Sequence, residues 1–402
     1  MKVIVIGAGV AGLFFASFLE NQDITVIDKN EFAGRKLLAT GNGRCNFTNL
    51  NYGPQFFYGR NKDLISYVID YYTNHDLIEF FNGNGVLTTN LPSGRCYPIT
   101  MSSKTIKNSL LLKASENAKF ILNQEVIDID FDKKDVKTKD RTYSYDKLVI
   151  ATGGVSLKNS GSDGKIFDLI KNRISLTPMT YGITNFKTKK TLSKKAKGTK
   201  VTAKASLLVD NRELISSIDD VIFQSYGITG TAILDISNDI SIALSNDKRP
   251  VVEIDLFPEY TNKEFKSYLL KLFDNFPQRK LKEILQGILN EKLIGDMVKI
   301  SGLKENIPCG KLREDEIDRL IRTLKELRFE ITNIHDKENA QVTLGGVDTR
   351  YINKETMEST EVEDVFFIGE CQDVAGACGG YNISWAAASA KIAADYIRSL
   401  NV

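Results

Sequence analysis

The segment KLLATGNGRCNFTN, residues 36–49, packs two glycines, an arginine, a cysteine and three asparagines into fourteen positions. Neither strand alternation nor a helical stripe runs through it. Its residue types suit the holding of a charged, ring-bearing ligand. Gly41 and Gly43 allow close backbone approach, Lys36 and Arg44 bring positive charge, and Asn42 and Asn46 offer donors and acceptors to ring edges. Cys45 can give up a proton and is the one candidate catalytic side chain in the stretch, although a small buried packing residue has the same signature.

Such a loop needs elements to aim it, and the residues before it supply them. KVIVIGAGVAGLFFASFLENQDITVIDK opens with an apolar run, Val3 to Ile6, that reads as a buried parallel strand. Gly7, Gly9 and Gly12 follow as G-x-G-x-x-G. An apolar helix comes next, then a second strand that ends at Asp28, 21 residues after Gly7. Gly7 makes the tight turn, Gly9 lets the backbone approach a pyrophosphate, and Gly12 lets helix and strand pack closely. The helix start around Ala11 and Gly12 points free N–H groups at the phosphates. Asp28 is placed to accept from ribose hydroxyls. Strand, glycines, helix, strand and acid in register predict a dinucleotide site.

Later segments select FAD over NAD. YDKLVIATGG, 145–154, carries a strand (Leu148 to Ala151) into Thr152, Gly153 and Gly154, small residues that pass close to a cofactor. Near the C-terminus another buried strand, Val365 to Ile368, ends at Gly369-Glu370. Gly379-Gly380-Tyr381-Asn382 then opens an alanine-rich helix. A helix start there aims N–H groups at a flavin's pyrimidine edge and favours the negative charge of its reduced form. Both chain ends thus serve one long site, along which Gly34–Asn49 runs from adenosine towards the ring system.

The set GxGxxG, GRKLLATGNGRCNFTN, GRCYPI, ATGG, QVTLGGV, TMES and GECQDVAGACGGYNISWA resembles, in content and order, the YhiN-like (BaiN-like) flavoproteins, also labelled FAD-binding enzymes of the aminoacetone oxidase family. The resemblance covers the whole chain. It implies an α/β fold: a Rossmann-type FAD-binding domain built from both chain ends, with inserted β-rich and α-helical domains. It implies FAD contacts at Gly7, Gly9, Gly12, Asp28, Arg35, Lys36, Arg44, Cys45 and Asn46. Val126 would lie against the adenine, and Thr152 and Gly153 would follow on the return strand. Gly369, Glu370, Asp373, Gly380, Tyr381, Asn382 and Ile383 would complete the site. Members have been linked to reduction of conjugated double bonds in bile acid derivatives and to dihydrouridine formation in ribosomal RNA. One departure stands out. The family's F-T-H-x-G-L-S-G-P segment reads FQSYGITGT here, with Gln224, Ser225 and Thr231 in place of Thr, His and Pro.

The expected division is 1–175 for the first part of the FAD domain, 176–258 for the β-rich insertion, 259–330 for the helical insertion and 331–402 for the return. KASLLVD, SSIDDVIFQ, TAILDI and PVVEIDLF read as strands. Residues 261–330 read as helices, with stripes such as Ile317, Leu320, Ile321, Leu324 and Leu327. The run Lys187–Lys204 holds eight lysines and no acid, which suits either a solvated hairpin tip or phosphate contacts with RNA. It lacks aromatic residues, so base stacking is not indicated.

Composition bounds the rest. The chain of 402 residues is 42% hydrophobic and 26% charged with a net charge of +2, an ordinary globular balance with no demand for a polyanion. Only His75 and His335 are present, which argues against a histidine-built metal site. No apolar run spans a bilayer, and the N-terminus does not read as a signal peptide. The five cysteines lack CxxC spacing, which fits a reduced cytoplasmic compartment. Leu50 stands where a disulfide reductase would place the partner of Cys45, so that chemistry is excluded. The chain shows no second dinucleotide fingerprint. NAD(P)H, the expected electron donor, would therefore reach the flavin from a cleft without its own Rossmann domain. An FAD-dependent reductase of an activated C=C bond, in RNA uridine or a small enone, stands against a flavin-binding module without turnover.

Overall fold

Short apolar runs make the centre of the fold. In the computed structural model, which describes residues 1–400, one parallel sheet carries the strands in the order Val365–Phe367, Lys147–Ile150, Lys2–Ile6, Asp23–Ile27, Ala118–Ile121. Val3, Val5, Val26, Leu148, Val149 and Phe366 have no exposed surface. Strands covered on both faces show no polar alternation, which is why these runs read as continuously apolar. The helix Val10–Phe18 comes after the first strand and lies against the helices Ser103–Asn117 and Tyr381–Ser399. It is apolar all round because it is covered all round. Phe14 and Phe18 meet Phe80 edge-on at 5.7 and 5.2 Å between ring centroids.

An antiparallel meander, Val126–Asp130, Asp135–Thr138 and Thr142–Ser144, leads into the return strand. The buried Asp364 accepts from both Lys134 and Lys147, tying the turn of the meander to the parallel sheet.

The chain separates into two compact units. One combines Met1–Gly182 with the chain from Lys337 onward; the other is Ile183–Asp336. The second unit contains a closed barrel in the order Phe186–Thr188, Gly227–Thr229, Arg212–Phe223, Lys200–Val209, Val251–Asp255, Leu327–Ile334. Its last strand pairs with both Phe186–Thr188 and Val251–Asp255, so the helices between residues 262 and 325 are inserted between two barrel strands. The sequence reading carried those helices to residue 330. LRFEITNI instead alternates buried and exposed residues and closes the barrel. TAILDI, read as a strand, is the helix Thr231–Asp235, which covers the barrel strand Arg212–Phe223. A short apolar run does not distinguish the two conformations by periodicity.

Lys325 joins helix to barrel. Its buried ammonium donates to Asp255 at 2.7 Å and to the carbonyls of Phe257 and Tyr260 at 2.7 and 2.6 Å. Lys325→Met would strand the Asp255 charge and two carbonyls together. It is expected to lower unfolding free energy by about 3 kcal/mol in a urea titration. A change below about 1 kcal/mol would show that water replaces the ammonium without difficulty.

Candidate functional site

The three fingerprint glycines are present for different reasons. A Cβ at Gly7, where φ is 108°, would lie 2.5 Å from the Ala151 carbonyl oxygen, and one at Gly12 would lie 2.0 Å from the Gly7 carbonyl oxygen. Packing of protein on protein demands both. Gly9 has φ −73° and ψ −173°, which any residue adopts. A Cβ there would meet only the Ala151 oxygen, at 3.8 Å. The fold therefore does not require this glycine. The space beside it lies at the start of the helix Val10–Phe18, where first-turn N–H groups lack helical partners and the dipole is positive. Ala11, 5% exposed, belongs to that first turn. The arrangement fits a pyrophosphate.

Asp28 sits at the end of the second strand. Its Oδ1 accepts from the Asn30 backbone and side chain at 2.7 and 2.9 Å, and its Oδ2 accepts the Ala8 N–H at 2.7 Å. Oδ2 keeps a second lone pair for a ribose hydroxyl. The Asp28 carbonyl accepts the Gln124 N–H, which sets the start of the meander beside it. A cleft of about 400 Å³ opens here, lined by Lys29, Asn30, Arg35, Gln124, Glu125 and Lys158 among others. It lies beyond the carboxyl ends of parallel strands, where open α/β sheets bind ligands. Arg35 is exposed, and Val126 is half-buried immediately after Glu125.

The glycine-rich loop is left-handed at Gly41, Asn42, Gly43 and Cys45, with φ between 54° and 82°. That explains the G-N-G spacing. Arg44 is exposed and lies over the Tyr97 ring. Cys45 is fully buried by protein atoms, and burial pushes its thiol up to about 12. It thus presents a protonated sulfur with no face open to a ligand.

Lys36 reaches the opposite end of the chain. Its ammonium donates to Glu370 Oε2 at 2.6 Å and to Ser156 Oγ at 2.8 Å. Ser156 Oγ and the Thr343 N–H both donate to Glu370 Oε1 at 2.8 Å. Gly369 and Glu370 form the turn after the last parallel strand, and Ala151 and Thr152 continue the neighbouring one. Gly153 packs beside Ser162 and Gly154 beside Thr343.

The second helix start is bolted to the first part of the chain. Thr48 and Ser384 share a hydrogen bond of 2.8 Å, and Asn49 donates to the Gly379 carbonyl at 3.3 Å. The backbone of Gly380 lies against that of Thr48. The Asn382 side chain both accepts from and donates to the Gly376 backbone, at 2.8 and 3.0 Å. Tyr381 stacks on Phe56 at 4.7 Å and donates to the Asn51 carbonyl, while Ile383 is core. These side chains hold the turn. The ligand-facing chemistry here belongs to the helix backbone and dipole.

Three predicted site residues carry buried oxygens without a hydrogen bond: Asn46 Oδ1, Thr152 Oγ1 and Asp373 Oδ2. Such atoms are costly unless a ligand completes them. FAD offers hydroxyls and a ring N–H, so the residues fit it. Asp373 is 7% exposed, and burial pushes its carboxyl up to about 6. Nearby Asp348, itself paired with Arg350, raises it further. Arg60, 3.7 Å from Oδ2, and the Thr177 hydroxyl oppose the rise.

Sequence reading missed Ser156 and singled out Thr343 only as part of QVTLGGV. The available signal was a small polar residue two positions after the return strand's glycines. The departures from the family segment fall elsewhere, in the barrel unit. Gln224 and Gly227 exchange hydrogen bonds across a tight turn with Ser225 exposed at its tip. Thr231 opens a helix, and Tyr226 stacks on His335 with centroids 3.4 Å apart.

The family model described as the HI0933-like protein Rossmann domain matches residues 1–396. A 3-dehydro-bile acid delta(4,6)-reductase of Clostridium scindens is 28% identical over 400 residues, covering 98% of each chain. A ribosomal RNA dihydrouridine synthase of Haemophilus influenzae is 30% identical over 406 residues, covering 96% of each. Among solved structures, the 3-ketosteroid delta1-dehydrogenase of Sterolibacterium denitrificans matches over 99% of both chains with a TM-score of 0.51 at 10% identity, a likeness of fold.

Two substitutions separate cofactor binding from packing. Gly9→Val is expected to abolish FAD retention and to leave the stability of stripped protein within about 0.5 kcal/mol. Gly12→Ala is expected to cost about 1–3 kcal/mol by overpacking. Flavin absorbance and denaturant unfolding read the two effects, and a yellow Gly9→Val protein would place the phosphates elsewhere. A hydroxyl donated to Asp373 Oδ2 favours the ionised carboxylate, and the carboxyl of the cofactor-free protein titrates at about 6. FAD affinity should therefore rise as pH climbs through about 6 and level off above it. Asp373→Asn should flatten that profile. A pH-independent wild-type affinity would separate Asp373 from the cofactor.

Proposed function

The chain belongs to the HI0933-like protein Rossmann family, and on that premise we propose that this FAD-dependent oxidoreductase saturates an activated C=C bond with electrons from NAD(P)H. The carrying observation is the end-to-end match to two relatives whose names describe that one chemistry on different substrates. Bound FAD supplies the hydride. The chain's own residues do the holding. Gly9 and the first turn of Val10–Phe18 take the pyrophosphate, Asp28 the ribose, and Asn46, Thr152 and Asp373 the polar groups between ribose and ring. The start of Tyr381–Ser399 supplies a positive dipole for charge on the ring edge.

Uridine in RNA is the preferred substrate, because two relatives that match almost end to end are ribosomal RNA dihydrouridine synthases. A small enone is the second reading, favoured by the bile acid reductase relative. The use of NAD(P)H and RNA suits the cytoplasm. Among the described residues no helix is long and apolar enough to cross a membrane.

Mass spectrometry of ribosomal RNA from a deletion strain should show one uridine that no longer gains two hydrogens. Purified FAD-loaded protein should bleach on anaerobic addition of NADPH and recover colour with RNA or with an enone. A flavin that no pyridine nucleotide reduces would fit a binding module without turnover. Cys45 packs in this reading, so Cys45→Ala should slow turnover less than about tenfold. A loss of about 10²–10⁴-fold, the size of general acid catalysis, would make its thiol the proton donor.

A further inference from the structure

The eight lysines of residues 187–204 divide into two groups. Lys189 pairs with Glu330 at 2.8 Å, Lys200 with Asp220 at 2.9 Å and Lys204 with Glu213 at 3.2 Å. These partners lie on neighbouring barrel strands. Lys187, Lys190, Lys194, Lys195 and Lys197 are exposed and form no ion pair with an acid among the described residues, although Lys190 lies in the field of Glu330.

Lys187 lies on the barrel strand Phe186–Thr188, and the loop that follows and carries the other four is pinned. The Ser193 N–H and hydroxyl both donate to Asp296, at 3.0 and 2.8 Å. Ala196 is fully buried. The Gly198 N–H donates to the Phe223 carbonyl and the Thr188 hydroxyl to the Lys190 carbonyl, each at 2.8 Å. A charge run that served only solubility would need none of these anchors. Fixing Lys190, Lys194, Lys195 and Lys197 on one loop, next to Lys187 on the strand before it, instead raises their mutual repulsion, which a polyanion would relieve. The Lys189 hydrogen bond, and after it the charges of Lys190 and Arg249, hold the Glu330 carboxyl below its ordinary range, so Arg249 adds to the same field.

We infer that this loop is a docking surface for the phosphodiester backbone of RNA, with Lys187, Lys190, Lys194, Lys195 and Lys197 as the phosphate-contacting side chains. The inference rests on the reading of RNA as substrate. The run contains no aromatic residue, so the surface holds the backbone without reading bases. A membrane surface fits less well. Insertion calls for exposed apolar side chains, whereas Ala196 points into the fold and Leu192 is half-buried.

The test compares FAD-loaded wild type with a Lys190→Gln, Lys194→Gln, Lys195→Gln, Lys197→Gln variant. Binding to a ribosomal RNA transcript is measured at several salt concentrations, beside flavin reduction by NADPH. The variant should bind RNA at least about tenfold more weakly at low salt, with the slope of log affinity against log salt reduced by about 3. Its flavin content and reduction should match wild type. A control variant, Lys189→Gln, Lys200→Gln, Lys204→Gln, should bind much closer to wild type, since those lysines already face acids. Equal binding by wild type and the first variant would overturn the surface while leaving RNA as substrate. Wild type that reduces an enone and ignores RNA would overturn the surface and leave the C=C reductase reading intact. RNA binding through the loop by an enzyme that reduces no C=C bond would uphold the surface and overturn the reaction. Loop-dependent binding to phosphatidylglycerol vesicles in place of RNA would also overturn it.

Discussion

The contact between Lys36 and Glu370 brings together residues 334 positions apart in sequence. Glu370 also collects Ser156 and the backbone of Thr343, so one carboxylate joins four separate stretches of chain. Each stretch continues a different element: the loop after the second strand, the return strand, the strand Val342–Leu344 and the C-terminal turn. This junction ties the start of the glycine-rich loop to the turn that follows the last parallel strand. The Thr48–Ser384 hydrogen bond closes the same ring of chain at its other end. Polar partners suit such a junction, because hydrogen-bond direction fixes register where apolar contact tolerates sliding.

Several predicted site residues bury polar atoms without a hydrogen bond. Asn46, Thr152 and Asp373 each bury an oxygen without a donor, and Asp373 lies close to a second carboxylate, Asp348. Interiors avoid such atoms unless something else completes them. Gly9 tells the same story in sterics, since neither its conformation nor its neighbours exclude a side chain. Unmet hydrogen bonds and a glycine the fold does not need both fit a site built for a polar ligand. Binding energy for that occupant should then appear also as stability of the FAD unit.

Much of this was legible in the sequence because parallel strands and their glycine turns are local signals. VIVIG, LVIATGG and VFFIGE each announce a buried strand and the glycine turn at its end. Closure of the barrel was not local. Whether LRFEITNI is the tail of a helical region or the last strand depends on partners more than seventy residues away, in Val251–Asp255 and Phe186–Thr188. The same limit applies to side-chain roles. Cys45 sits in the right segment for chemistry, yet only packing reveals that its thiol faces protein on every side. The lysine run is uniform in sequence, and only strand register sorts the three paired lysines from the five unpaired ones.

The two units therefore differ in what their sequences reveal. Every predicted cofactor residue falls in the unit built from both chain ends, where geometry admits few alternatives to glycine, small polar residue or acid. The departures from the family segment, Gln224, Ser225 and Thr231, fall in the barrel unit, at a turn tip and a helix start. Turns of that kind accept substitution because little of their backbone is buried. His335, on the strand end that reaches the same turn, lays an imidazole flat on Tyr226 one residue from Ser225. A ring absent from the turn in sequence is thus present beside it in space. The result is a division in which the predicted cofactor residues gather in the first unit and the departures from the family segment in the barrel unit.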